Sequence, residues 1–303
     1  MLELQFDKNI IKKCEEAIII SGSARSGTTI IGKLLHSFKG VEYAFEPPML
    51  FSLFALLPVL PKEEWKLLYE TYLYEEFLMN ALAGRGLNCN LSDDSSIYRV
   101  KDKHLIAERL EQSLRKDEAE KKAETSKLVY KIPGITPFLT RLKKYYPGST
   151  VVIMTRKAFE VFNSIMEKGW FRSETLKRKN RTWPNHFIRE LRIPFWVDGP
   201  DKVAWYRMNE IERIAYYYLR INRSVSELSD CIIIRYEDFI KSPGRILQKL
   251  ADRLGLTPGE KTEEILNTVH LIPKKRDLKI LDRLRPELRQ EVEYWSEYYS
   301  TNI

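Results

Sequence analysis

The sequence predicts an α/β fold: one doubly wound, mostly parallel sheet of about five strands, opened by a P-loop-like strand–loop–helix and interrupted by helical insertions. Three observations predict it. Apolar runs at 17–20, 41–45, 128–132, 151–154 and 232–234 are mostly near-continuous in Ile and Val rather than alternating, as strands buried on both faces are. Helical stripes separate them: Ile30, Ile31, Leu34, Leu35 and Phe38 within 28–38, and Ala158, Val161, Phe162, Ile165 and Met166 within 158–166. A glycine-bearing turn joins the first strand directly to the first helix. The chain of 303 residues has no internal repeat or low-complexity stretch and reads as a single domain, 1–303.

Composition narrows the partners. With 44% hydrophobic and 30% charged residues the chain is globular rather than disordered. A net charge of +8 favours anionic partners without choosing among nucleotide, glycan, nucleic acid and acidic membrane. Cys14, Cys89 and Cys231 are odd in number and far apart, which argues against a disulfide framework and fits a reducing, cytoplasmic setting. Cys231, opening an Ile run, is expected in the core. The four histidines and three cysteines have no ligand spacing, so no metal is expected. No secretory leader is expected at the N-terminus, and the most lipid-like stretch, 49–60, is too short to span a bilayer. It is expected to form a buried turn and helix near the site.

The first unit runs Ile20-Ser21-Gly22-Ser23-Ala24-Arg25-Ser26-Gly27-Thr28-Thr29 and enters a helix. Amide groups of such a loop and first helical turn converge on one point, to which the helix dipole adds positive potential: a phosphate cradle. Thr28 stands where a nucleoside-triphosphatase loop needs its lysine, and Arg25 supplies the cation from within the loop. The strand at 151–154 runs into Thr155-Arg156 rather than into a magnesium-binding aspartate. An arginine at that strand end, with Ser164 eight residues on, forms a second candidate phosphate grip. A P-loop kinase or NTPase is the rival from these residues; a nucleic-acid module resting on the basic run 177–181 is the other, and no nucleic-acid motif supports it.

Together the two signals resemble the nucleotide-binding motifs of the sulfotransferases that use 3′-phosphoadenosine 5′-phosphosulfate (PAPS). Arg25-Ser26-Gly27-Thr28-Thr29 is similar to the loop that binds the 5′-phosphosulfate end in that family, and Arg156 with Ser164 to the pair that binds the 3′-phosphate. Lys131-Ile132-Pro133 resembles the Lys-x-Pro of many bacterial and carbohydrate-type members. Arg235-Tyr236-Glu237-Asp238 resembles the family's Arg-Tyr-Glu-Asp segment. The resemblance implies PAPS as sulfuryl donor, no required metal, and transfer to an acceptor hydroxyl or amine.

Departures are visible. Arg156-Lys157-Ala158-Phe159-Glu160 stands where the family often has Arg-Asn/Asp-Pro-x-Asp, which bears on how that helix starts. The Arg-Lys-Gly segment of the cytosolic enzymes is absent; Lys274-Lys275-Arg276 is the nearest basic cluster.

By analogy with phosphoryl transfer, the chemistry needs a cation near the leaving phosphate and a base for the acceptor proton. Arg25 is the first candidate cation, with Lys131 beside it. Glu46, at the turn after the second strand, is the expected base, as in carbohydrate-type members. His104 is the second candidate; His36 is expected too far along the first helix, His186 lies in the insert where it could contact acceptor, and His270 has no visible partner. Helices are expected over 62–83 and 104–122, and a tyrosine-rich helix carries Tyr216, Tyr217 and Tyr218. The segment 171–202, aromatic and basic, is expected to be a variable insert shaping the substrate region. Trp170, Trp183, Trp196 and Trp205, interleaved with cations, point to a carbohydrate or glycolipid acceptor, anionic ones included. Phenolic, lipid and peptide-tyrosine acceptors stay open, as does the oligomeric state.

Overall fold

A computed structural model describes residues 4–93, 95–111, 114–178, 183–269 and 276–303. Within them, β1 (Ile18–Gly22), β2 (Val41–Phe45), β3 (Lys127–Lys131), β4 (Thr150–Thr155) and β7 (Ile232–Arg235) form one parallel sheet in the order β2-β3-β1-β4-β7. β5 (Asn185–Ile188) and β6 (Leu191–Pro194) form a separate antiparallel hairpin.

The continuous apolar runs have their physical cause in two-sided burial. Side chains alternate across a strand, so Ile18, Ile20, Val152 and Met154 pack into one apolar cluster while Ile19, Val151 and Ile153 pack into another on the opposite face. Each cluster is covered by helices, Thr28–His36 on the first side and Pro48–Leu56 on the second. A third cluster joins the helices Ala158–Lys168 and Glu210–Ser226 to the hairpin and Trp205.

The topology sets the site. From β1 the chain moves to one side of the sheet, through β2 and β3, and from β4 it moves to the other, to β7. The carboxyl ends of β1 and β4 therefore flank a topological switch point, where open α/β sheets bind ligands. Register aligns the motif residues along that edge. Gly22 lies opposite Met154, Phe45 opposite Lys131, and Thr155 opposite Arg235.

Three sequence expectations change. The span 62–83 is not one regular helix: Lys62–Glu70 passes into a wider π-helical stretch, Thr71–Met79, before Asn80–Leu82. The span 104–122 is two helices, Lys103–Glu111 and Lys116–Thr125, the second starting at Arg115, whose amide Glu118 caps. Cys231 is half-buried rather than core, because β7 is an edge strand. Met49–Leu60 folds as expected in its first half, with Leu50, Phe51, Leu53 and Phe54 buried. Among the described residues no helix is long and apolar enough to cross a membrane.

Candidate active site

The loop after β1 is held by backbone that only a few residue types adopt. Gly22 and Gly27 have φ of 126° and 92°, and Arg25 between them has φ of 70°. A Cβ on Gly22 would meet the Met154 carbonyl oxygen at 2.1 Å, and one on Gly27 the Tyr236 ring at 2.5 Å. Left-handed residues in such a turn direct successive N–H groups inward, forming an anion-binding concavity at a helix N-terminus. Thr28 is buried at the first helical position, Thr29 is exposed beside it, and Ser26 turns inward to hydrogen-bond Ser23.

The second grip is built against the first. Arg25 donates from Nε to Ser164 Oγ at 2.8 Å, and Arg156 donates from Nη1 to the Arg25 carbonyl at 2.9 Å. Both motifs are thus one structure, a link that eight-residue spacing alone does not reveal. The Arg156 guanidinium lies over the Tyr236 ring at 4.4 Å and gives Nη2 to Glu160 at 2.8 Å. Arg276 donates to the same Glu160 oxygen at 3.0 Å. Burial pulls the Arg156 pKa down, with Glu160 opposing, and its Nε is buried with no hydrogen-bond partner among the described residues. A buried orphan donor on a guanidinium is a costly feature that an anionic ligand would relieve. Of the cluster 274–276, only Arg276 is within the described residues; Lys274 and Lys275 lie outside them, as do His270 and most of the run 177–181.

The departure at 157–160 also has a structural answer. The helix Ala158–Lys168 has no side-chain cap of its own. Glu237 accepts the Lys157 amide at 3.0 Å and Ser296 accepts the Ala158 amide at 2.9 Å, so distant residues satisfy its first donors. Arg235 pairs with Glu237 and Glu297, which braces this corner.

Lys131 and Glu46 face each other at the end of β3 and β2. Glu46 has φ of 45°, a strained conformation for a residue with a Cβ, and its amide donates to the Lys131 carbonyl at 2.9 Å. The Lys131 ammonium is 1% exposed and forms an ion pair with the Glu46 carboxylate. It also reaches Thr29 Oγ1 at 3.3 Å and sits over the Phe45 ring at 3.9 Å. Burial lowers its pKa, and Glu46 pulls it back up.

His104 is not brought to this site. It is exposed on the helix Lys103–Glu111, beside Lys101, whose ammonium donates to the carbonyls of Phe38 and Val41. Those mark the amino end of β2, whereas Glu46 follows its carboxyl end; the strand's length separates them. His36 is buried at the end of its helix, 5.2 Å from the Tyr43 ring, with its pKa held well down by burial and by Lys101 and Arg109. His186 is exposed on β5.

Beside the loop opens a cavity of about 450 Å³, with Arg25, Thr28, Thr29 and Glu46 at its inner end. Most of its outer wall comes from the span 170–196, including β5 and β6, and Phe51 joins from the helix Pro48–Leu56. Trp170, Trp183 and Trp196 line it; Trp205 does not, being fully buried in the third cluster against Phe171 and Trp196. Two residues named in the sequence only as parts of longer segments have a place at the site. Tyr236 packs on Arg156 and Gly27, and Tyr217 accepts the Ala24 amide at 2.7 Å while lining the cavity. The Arg-Tyr-Glu-Asp segment was a signal for the first; the tyrosine run gave none for the second.

A family model described as "Sulfotransferase family" matches residues 17–260, from β1 past β7. The chain belongs to the sulfotransferase family. As such it is a transferase of sulfuryl groups. No curated protein sequence matches it significantly. Among solved structures, the sulfotransferase domain of an olefin synthase from Synechococcus PCC 7002 is 16% identical over 95% of both chains, with a TM-score of 0.50, a likeness of fold. A sulfotransferase domain from the curacin biosynthetic pathway is 15% identical over 95% of this chain and 99% of that one, with a TM-score of 0.48. A sulfotransferase from Mycobacterium tuberculosis H37Rv is 16% identical over 92% of this chain and 76% of its own, with a TM-score of 0.42.

Proposed function

We propose that this sulfotransferase takes its sulfuryl group from PAPS and delivers it to a hydroxyl or amine held in the cavity beside Glu46. The observation that carries the reading is the convergence of Arg25, Lys131 and Arg156 on one strand edge, around the glycine loop that opens the first helix. A donor with two anionic groups fits that arrangement. Arg25, Ser26, Gly27, Thr28 and Thr29 would hold the phosphosulfate end, and Arg156 with Ser164 the 3′-phosphate, where the orphan Nε of Arg156 finds an acceptor. The bound donor supplies an activated sulfuryl group.

The chain's own residues do the rest. Arg25 and Lys131 concentrate positive charge where the leaving phosphate gains negative charge. Without donor, the Lys131 ammonium is neutralised by Glu46. An anionic donor competes for that ammonium, and the carboxylate is left free to accept the acceptor's proton at Oε. The aromatic walls keep water from the same space.

The test is transfer itself. Incubation with labelled PAPS and a panel of hydroxyl and amine acceptors is expected to give sulfated product with matching release of adenosine 3′,5′-bisphosphate, lost in Arg25→Ala. Phosphoryl transfer from magnesium ATP, with no use of PAPS, would overturn the reading.

A further inference from the structure

The chemistry of the cavity walls goes further than the reaction class. We infer that the acceptor is a compact, largely apolar alcohol or phenol rather than a sugar, an inference that rests on the PAPS reading above. Polar groups in the cavity are segregated. Arg25, Thr28, Thr29 and Glu46 sit together at the inner end, where sulfuryl transfer occurs. Outside them the wall is Phe51, Trp170, Phe171, Trp183, Phe195 and Trp196, with prolines and a leucine between. Among the described residues, the other polar side chains lining the cavity are Thr175, Asn185, Arg192 and Tyr217, whose hydroxyl accepts the Ala24 amide. Arg192 donates from Nε to the Leu176 carbonyl at 3.0 Å and from Nη2 to the Thr175 carbonyl at 2.6 Å, which ties β6 to the short helix Ser173–Lys177. Asn185 donates its amide to the Trp183 carbonyl. These side chains knit the wall together.

A sugar presents several hydroxyls, each of which loses water on entry and needs a partner. Among the described residues the outer wall offers few. Two of the three tryptophans that line the cavity are already packed by other rings. Trp183 is stacked on Phe51 with ring centres 4.0 Å apart, and Trp196 is packed by Phe171, Trp205 and Tyr217 at 5.0 to 6.0 Å. Among the described cations of the span 171–202, Arg192 is committed to backbone carbonyls and Arg172 pairs with Glu210. An apolar skeleton with one transferable hydroxyl loses nothing in this wall and brings its polar atom to Glu46. The volume, about 450 Å³, suits a small molecule.

The stacked pair Phe51–Trp183 joins the two walls and is the specificity element in this account. Calorimetry in the presence of saturating adenosine 3′,5′-bisphosphate, with naphthol and trehalose as probes, tests it. Naphthol is expected to bind at least about 100-fold more tightly than trehalose, the discrimination that one unpaired hydroxyl in an apolar pocket already gives. Phe51→Ala, or Trp183→Leu should the first variant fold poorly, is expected to weaken naphthol by about 10-fold while bisphosphate binding holds. If the bisphosphate binds and trehalose matches or exceeds naphthol, or neither probe binds, the acceptor inference is overturned and the donor reading stands. If the bisphosphate does not bind, the donor reading falls and the acceptor inference with it.

Discussion

Replacing Glu46 by Gln removes a carboxylate from two tasks at once, and the structure separates their sizes. Gln has the same shape but cannot take a proton. Loss of a positioned general base costs about 10²- to 10⁴-fold in rate, or roughly 3 to 5 kcal/mol at 1.36 kcal/mol per decade. The same change leaves the buried Lys131 ammonium without its ion-pair partner. Breaking a buried pair from one side costs about 3 to 5 kcal/mol when the remaining charge is trapped. Here the cost is smaller, because Glu46 is 25% exposed and Lys131, with its pKa already lowered by burial, sheds its proton instead.

Kinetics and thermal unfolding of Glu46→Gln, Lys131→Met and the double variant are the assay. The expected pattern is a drop of at least 100-fold in kcat/KM for Glu46→Gln with bisphosphate affinity near wild type. Lys131→Met should lose both rate and affinity. The double variant should unfold at a higher temperature than the sum of the two single effects, since the pair is directly coupled. A folded Glu46→Gln enzyme within 10-fold of wild-type kcat/KM would refute the assignment of the base.

Three further outcomes follow from particular contacts. Gly27→Ala forces a Cβ to 2.5 Å from the Tyr236 ring at φ of 92°, so a loss of about 1 to 3 kcal/mol in stability should accompany weaker bisphosphate binding, read by thermal shift with and without ligand. Tyr217→Phe leaves the Ala24 amide without its acceptor and should cost about 1 to 3 kcal/mol in denaturant unfolding. Lys101, buried against the carbonyls of Phe38 and Val41, has its pKa pushed down to about 8 from 10.5 by burial. Below pH 8 folded and unfolded chains both hold that proton, and the cost of burying the charge is fully present. Between pH 8 and 10.5 only the unfolded chain holds it, so stability rises with pH. Wild type should gain up to about 3 kcal/mol relative to Lys101→Met across that window.

The strands and the glycine loop after β1 were legible because two-sided burial and a left-handed turn leave one-dimensional traces: unbroken Ile and Val, and glycines just where a Cβ would strike Met154 or Tyr236. What joins the site together leaves no such trace. Nothing local ties Arg25 to Ser164, or Tyr217 to the Ala24 amide; those contacts come from strand order and helix packing. The position of His104, away from Glu46, was hidden for the same reason. Its place at the wrong end of β2 depends on where the connection between β2 and β3 crosses the sheet. Tryptophans mark an aromatic region in any sequence, but only packing separates Trp183 in the cavity from Trp205 in the core.

The central claim is that one strand edge grips two phosphates of a single nucleotide. Calorimetric titration with adenosine 3′,5′-bisphosphate, against ATP with magnesium and with Arg156→Ala as the control, tests it most directly. Metal-free binding of the bisphosphate much tighter than ATP, with that preference lost in Arg156→Ala, is the predicted result. Tighter binding of magnesium ATP, or a preference for the bisphosphate that survives Arg156→Ala, would contradict it.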